Sequence, residues 1–111
     1  MLPAEERLRK DRDFRRVYAA KRAIVHPLMV LYTRPSRVGR RIGFSVSKKL
    51  GGAVQRNRIK RRLREAYRAH IPVLKNGFDA IIVVRSKASS ATYIEIAKTV
   101  IDLFRRAGLV Q

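Results

Sequence analysis

Between Arg56 and Arg64, six of nine residues are lysine or arginine. The run Arg56-Asn57-Arg58-Ile59-Lys60-Arg61-Arg62-Leu63-Arg64 also has helical spacing. Turning about 100° per residue from Asn57 puts Lys60, Arg61, Arg64 and Arg68 within about 60° of it. Ile59, Leu63, Ala66 and His70 gather on the other side, with Tyr67 at the border. An apolar stripe of this kind docks a helix, and the cationic stripe opposite stays in water. Solvated faces usually interleave charges of both signs, whereas Lys60–Arg64 and Arg64–Arg68 are like-charge pairs that slightly weaken the isolated helix. A polyanion compensates such a stripe, and bidentate phosphate contact favours the arginines that dominate it. Asn57 has two uses: as a relative of a helix N-cap, or as an amide that donates to a phosphate and accepts at the same time. Gly51-Gly52, just before the run, is either a simple turn or bare backbone that lets a nucleic-acid strand come close.

The whole chain carries the same bias. Its 111 residues include 27 Lys plus Arg against 8 Asp plus Glu, a formal charge of +19. That much like charge repels itself and calls for a polyanionic partner. Apolar residues make up 46%, too many for a disordered basic tail. No apolar run approaches the ~20 residues of a spanning helix, and the absence of a signal-like start points to the cytoplasm. The chain has no cysteine, hence no disulfide and no thiolate metal site. Nothing assembles into a catalytic or metal-binding constellation. His26 sits beside Pro27 and His70 on the apolar helix face, both in structural settings, and the acids are scattered with no close pair placed for two-metal phosphoryl chemistry. The expectation is therefore no catalytic residue, no metal site and no cofactor bound by the protein alone.

The elements that must position the stripe follow from pattern. Residues 1–10 are mixed and charged, and should fray. Asp11 can cap a helix to about Lys21, with Phe14, Val17 and Tyr18 on one face. Residues 24–33 read as one strand, its start demoted by Pro27, with Leu28, Val30 and Tyr32 sharing a face. After a turn at 35–39, residues 40–47 alternate, with Ile42, Phe44 and Val46 on one face and Gly43, Ser45 and Ser47 on the other. The basic helix spans about 54–71 and stops at Pro72. Residues 79–85 hold an unbroken apolar run that suits a central strand covered on both faces. A last helix covers about 92–106, capped by Ser89 or Ser90, with Tyr93, Ile94, Ala97, Val100, Ile101 and Phe104 inward. The phenylalanines Phe44, Phe78 and Phe104 belong to the core. The order helix, strand, strand, helix, strand, helix is an α+β sandwich in a single domain over 1–111.

The run Ser45-Val46-Ser47-Lys48-Lys49, then Gly51, Ala53-Val54, Arg56-Asn57-Arg58, Lys60-Arg61 and Arg64-Glu65, resembles the signature of the bacterial ribonuclease P protein family. Asp13-Phe14, Leu31 to Thr33, Gly77 to Asp79, Arg85 and the Leu-Phe-Arg ending of the last helix agree with it, so the resemblance spans about residues 8–107. It implies a four-stranded sheet with three helices, including a left-handed crossover between parallel strands, against the general right-handed preference. It also implies a division of labour. A catalytic RNA hydrolyses precursor tRNA with Mg²⁺, which enters through that RNA. The protein holds the RNA subunit through Arg56, Asn57, Arg58, Lys60, Arg61, Arg64 and Arg68, with Lys48 and Lys49. It takes the 5′ leader in a cleft between the first helix and the sheet, at Phe14, Tyr18, Tyr32, Ser45 and Ser47. Aromatic platforms with cations nearby suit an unstacked single strand, although the three aromatic side chains would equally suit core packing. The competing readings are a ribosomal or other RNA-binding protein outside tRNA processing, a DNA-binding helix-turn-helix, and a membrane-surface helix. The DNA reading lacks a companion helix. The membrane reading lacks Trp and Phe on a small apolar face that the core needs.

Overall fold

The computed structural model describes residues 2–37 and 39–111. Three helices, α1 (Asp11–Ala19), α2 (Ala53–His70) and α3 (Tyr93–Arg106), surround four strands, β1 (Arg22–Val25), β2 (Met29–Pro35), β3 (Arg40–Ser45) and β4 (Phe78–Val84). The strand order is β1-β2-β4-β3. Strands β1–β2 and β2–β4 pair antiparallel, and β3–β4 pair parallel with α2 as their connection. This is the expected α+β sandwich with a mixed four-stranded sheet.

The central position of β4 explains its apolar run. Ala80, Ile82 and Val84 face the main core, with Ile59, Leu63, Tyr67, Val100 and Phe104 of α2 and α3. Ile81 and Val83 face the other way, into a smaller cluster with Leu8, Phe14, Val17 and Tyr32. Thus α2 and α3 cover one face of the sheet, and α1 covers part of the other. Leu63 and Tyr67 are fully buried, and Tyr67, Phe104 and Phe78 form a chain of tilted ring contacts at 5.8 and 5.5 Å. Burial pushes the Tyr67 phenol far above its ordinary pKa.

Several local expectations are corrected. The stretch 24–33 is a hairpin rather than one strand. Pro27 and Leu28 make the turn, the His26 N–H donates to the Met29 carbonyl at 2.9 Å, and the Leu28 N–H donates to His26 Nδ1 at 3.0 Å. Proline cannot donate to a ladder, so the chain reverses there. Leu28 consequently leaves the face of Val30 and Tyr32 and packs against the main core. Lys10, not Asp11, is the N-cap of α1, and it makes no side-chain cap bond. The cap of α3 is Thr92, not Ser89 or Ser90; it forms a reciprocal capping box with Glu95 while the serines close a 3₁₀ turn. The buried stripe of α3 is Ile96, Thr99, Val100, Leu103 and Phe104, and Ile94 is 65% exposed.

Residues 2–8 are packed rather than frayed. Leu2 and Leu8 are buried, the Leu8 N–H donates to the Ile42 carbonyl, and Arg7 bridges the edge of β3. Glu6 meets Arg40 at 2.7 Å. Two leucines and an ion pair outweigh the entropy that usually loosens a terminus.

Candidate nucleic-acid interface

The register of the sheet arranges the face under α1 in three rungs. Arg34, Asp79 and Arg41 form the first, Tyr32, Ile81 and Gly43 the second, and Val30, Val83 and Ser45 the third. Helix α1 lies over the second. Val17 is buried there, and the Phe14 ring rests on Gly43, where a built Cβ would stand 2.5 Å from Phe14 Cζ. Glycine is therefore required by the close approach of α1. The third rung is only half-covered, since Val30, Val83 and Ser45 are all partly exposed.

Two tyrosines stand at the border of that open rung. Tyr18 and Tyr32 meet edge to face, with centroids 4.9 Å apart, and Tyr18 is 38% exposed. The Tyr18 hydroxyl lies beside Ser45. Burial raises the phenol pKa, the serine opposes that rise, and neighbouring Tyr32 adds to it. The site thus offers neutral aromatic surface with a polar edge, which stacks bases without adding charge. Ser47 is placed differently. Strand β3 ends at Ser45, and the Ser47 hydroxyl caps the 3₁₀ turn Lys48–Leu50 by accepting from the Lys49 N–H at 3.1 Å.

The cationic helix presents its stripe as the wheel requires. Asn57, Arg58, Arg61, Arg64 and Arg68 are exposed, as are Lys48 and Lys49 on the preceding turn. Lys60 is half-buried. Arg56 is half-buried too, with its Nε enclosed and without a hydrogen-bond partner. Gly52 is the N-cap of α2, which places Asn57 inside the helix and removes its capping role. Arg62 turns away from the stripe and donates to the Ala91 carbonyl at 3.2 Å.

Stripe and aromatics meet in one hollow of about 210 Å³, where Phe14, Gly43 and Phe44 lie with Arg7, Lys60 and Arg64. Leu2 borders a second hollow beside Arg61, Arg64 and Arg68. The packed N-terminal segment thus adds Arg7 and Arg9 to the surface, residues that a frayed end could not contribute. The available signal was the apolar pair Leu2 and Leu8 in this charged segment.

Neither histidine stands among these groups. His26 accepts within the hairpin turn, and His70 Nε2 pairs with the Ala97 carbonyl at 3.2 Å. The acids are less scattered than expected. Asp13 and Asp79 both pair with Arg41, at 3.4 and 2.9 Å, and this pairing raises the Arg41 pKa further. Occupied by a guanidinium, the two carboxylates act as an ion-pair anchor for α1. Among the described residues, no three His, Asp or Glu side chains come together as a metal site, and no helix is long and apolar enough to cross a membrane.

Comparison with known proteins gives a consistent result. The family model described as Ribonuclease P matches residues 2–108. The ribonuclease P protein component of Alkaliphilus oremlandii is 37% identical over 110 residues, covering 98% of this chain and 96% of its own. That of Clostridium novyi is 41% identical over 107 residues, covering 94% and 95%. Among solved structures, the RNase P protein of Staphylococcus aureus superposes with a TM-score of 0.87 at 32% identity, covering 96% of this chain and 98% of that one. The Thermotoga maritima protein gives 0.83 at 29% identity, covering 91% and 96%.

Proposed function

The chain belongs to the ribonuclease P protein family, and from that premise we propose how its surfaces divide the work of the ribonucleoprotein. It is the RNA-binding protein component of an enzyme of tRNA processing. In the proposed division, the exposed stripe of α2, with Lys48 and Lys49, holds the phosphate backbone of a catalytic RNA. Half-buried Lys60 and Arg56 stiffen the edge of that contact. The open rung bordered by Tyr18, Tyr32 and Ser45 takes the single-stranded 5′ leader of precursor tRNA, with Phe14 and Phe44 at the join. The RNA subunit supplies Mg²⁺-dependent hydrolysis. The protein contributes affinity and placement, which lower the barrier by holding the reacting strand in register. Its place of action is the cytoplasm.

The single observation that carries this reading is the shared hollow. Phe14, one turn of α1 before Tyr18, lines it with Lys60 and Arg64, which sets the cationic helix beside the face that α1 covers. The test is cleavage of a precursor tRNA by a bacterial ribonuclease P RNA at low Mg²⁺. The protein should be required for cleavage at the mature 5′ end, and RNA-free protein should leave the substrate intact at any Mg²⁺ concentration. Cleavage by RNA-free protein, or no stimulation of the RNA, would overturn it.

A further inference from the structure

The first rung, Arg34–Asp79–Arg41, lies at the far end of the α1-covered face from Ser45. Its centre is structural. Asp79 is fully buried and accepts two hydrogen bonds from Arg41, at 3.0 and 2.9 Å, while Asp13 takes the remaining nitrogen at 3.4 Å. The surrounding cations exceed what that centre needs. Arg34 reaches Asp79 only at 3.6 Å with its side chain 36% exposed. Arg16 and Arg37 form no ion pair among the described residues. Arg16, Arg34, Arg37 and Arg41 surround a hollow of about 410 Å³ with Asp79 in its wall. Four guanidiniums against two carboxylates leave two positive charges uncompensated.

Planar guanidiniums facing one hollow match the oxygens of a phosphate, and Arg41 is already fixed in orientation by its two-point contact with Asp79. The volume falls within the range of small-molecule sites, about 300–1,000 Å³, which admits a nucleotide-sized group and not only a bare ion. Phe14 and Val17 pack onto the sheet between this hollow and the open rung, so the two are separate places on the surface. We propose that the hollow walled by Arg16, Arg34, Arg37 and Arg41 is a second phosphate-binding site, independent of the tyrosine groove and of α2. Its phosphate comes either from an RNA chain or from a free phosphorylated small molecule.

The arginine Nε–H resonances of the full chain report on the site directly. Titration with inorganic phosphate should shift the Arg34 and Arg37 signals saturably. In the double variant Arg16→Ala/Arg37→Ala, which breaks no ion pair among the described residues, the phosphate Kd read at Arg34 should weaken at least about tenfold, the scale of a single charge-assisted contact. A second arm measures the salt dependence of binding to a short single-stranded RNA. A slope reduced by about 0.7 in the double variant assigns the site to an RNA phosphate. An unchanged slope with weakened phosphate binding assigns it to a free phosphorylated molecule. Signals unmoved by phosphate, or moved equally in the double variant, overturn the proposal. Arg64→Ala runs in parallel: if it alone lowers the slope while the double variant is silent in both arms, the reading of α2 stands and this site falls.

Discussion

Gly43→Ala tests the seat of α1 with one methyl group. The added Cβ would stand 2.5 Å from Phe14 Cζ and 2.8 Å from Cε1, where ordinary contact begins near 3.4 Å, so the ring must retreat by almost an ångström. Overpacking of this kind costs typically 1–3 kcal/mol. Phe14 is only half-buried and its ring tip can swing outward, which places the cost in the lower half of that range, about 1–1.5 kcal/mol. For a domain of this size that lowers Tm by roughly 4–6 °C. The ring would swing into the hollow it shares with Lys60 and Arg64, so affinity for single-stranded RNA should fall as well. Thermal unfolding of Gly43→Ala, Phe14→Leu and the double variant forms a complete cycle. Leucine lacks the two clashing ring atoms, so the alanine should cost at least ~0.5 kcal/mol less beside it, the usual floor for residues in contact. A neutral Gly43→Ala, or an equal penalty in both backgrounds, would refute the close approach of ring and strand.

Other outcomes follow from individual contacts. Leu63→Ala should lower stability by about 2–5 kcal/mol as a buried leucine. Arg64→Ala, on the exposed stripe, should leave Tm unchanged or slightly raised while RNA affinity drops; unfolding of that variant would show the stripe to be structural. Asp79→Asn removes one partner of a buried pair and should cost about 2–4 kcal/mol in chemical denaturation, the solvent-exposed edge of Arg41 keeping it below the fully buried limit. Thr92→Ala removes the cap of α3 and should cost about 0.5–2 kcal/mol. Hydrogen bonds from the Thr92 backbone and side chain hold the Glu95 carboxyl below the usual glutamate pKa. Its stabilisation is therefore present above the ordinary glutamate range and is lost as pH falls through the lowered value. The Tm difference between wild type and Glu95→Gln should close in acid.

The sequence made the main elements legible where one pattern dominated. The period of α2 placed Ile59 and Leu63 inside and Arg61 and Arg64 outside, and the unbroken apolar run of β4 marked a strand buried on both faces. Even the half-burial of Arg56 is readable in the wheel, where it falls about 260° from Asn57, beside Leu63. Misreadings arose where two patterns overlapped. Helix α3 carries two apolar stripes, 93/94/97/101 and 96/100/103/104, and packing against β4 and α2 selects the second. Pro27 was read as a weak strand start because β-branched residues flank it on both sides, yet the same flanks suit the two arms of a hairpin. Residues 2–8 looked too charged to order, because the Arg40 partner of Glu6 and the Ile42 carbonyl that Leu8 pairs with lie 34 residues away on β3. The joining of Asp13 to Asp79 through Arg41 depends on sheet register, which no local pattern encodes.

The central claim is that one surface engages the catalytic RNA and a separate one the substrate's leader. Tyr32→Ala, measured as binding of precursor and mature tRNA to the assembled holoenzyme, tests it most directly. Base–aromatic stacking is worth about 1–3 kcal/mol, or roughly five- to a hundred-fold in affinity. Tyr32→Ala should lose that factor for precursor tRNA. Binding of mature tRNA, which has no leader, and binding of the protein to the RNA subunit should be nearly unchanged. The loss should vary little with leader sequence, since stacking needs a base but not a particular one. Tyr32 also contacts Tyr18 edge to face, so some thermal stability will be lost with it. An equal loss for precursor and mature tRNA would contradict the account and leave Tyr32 as packing alone.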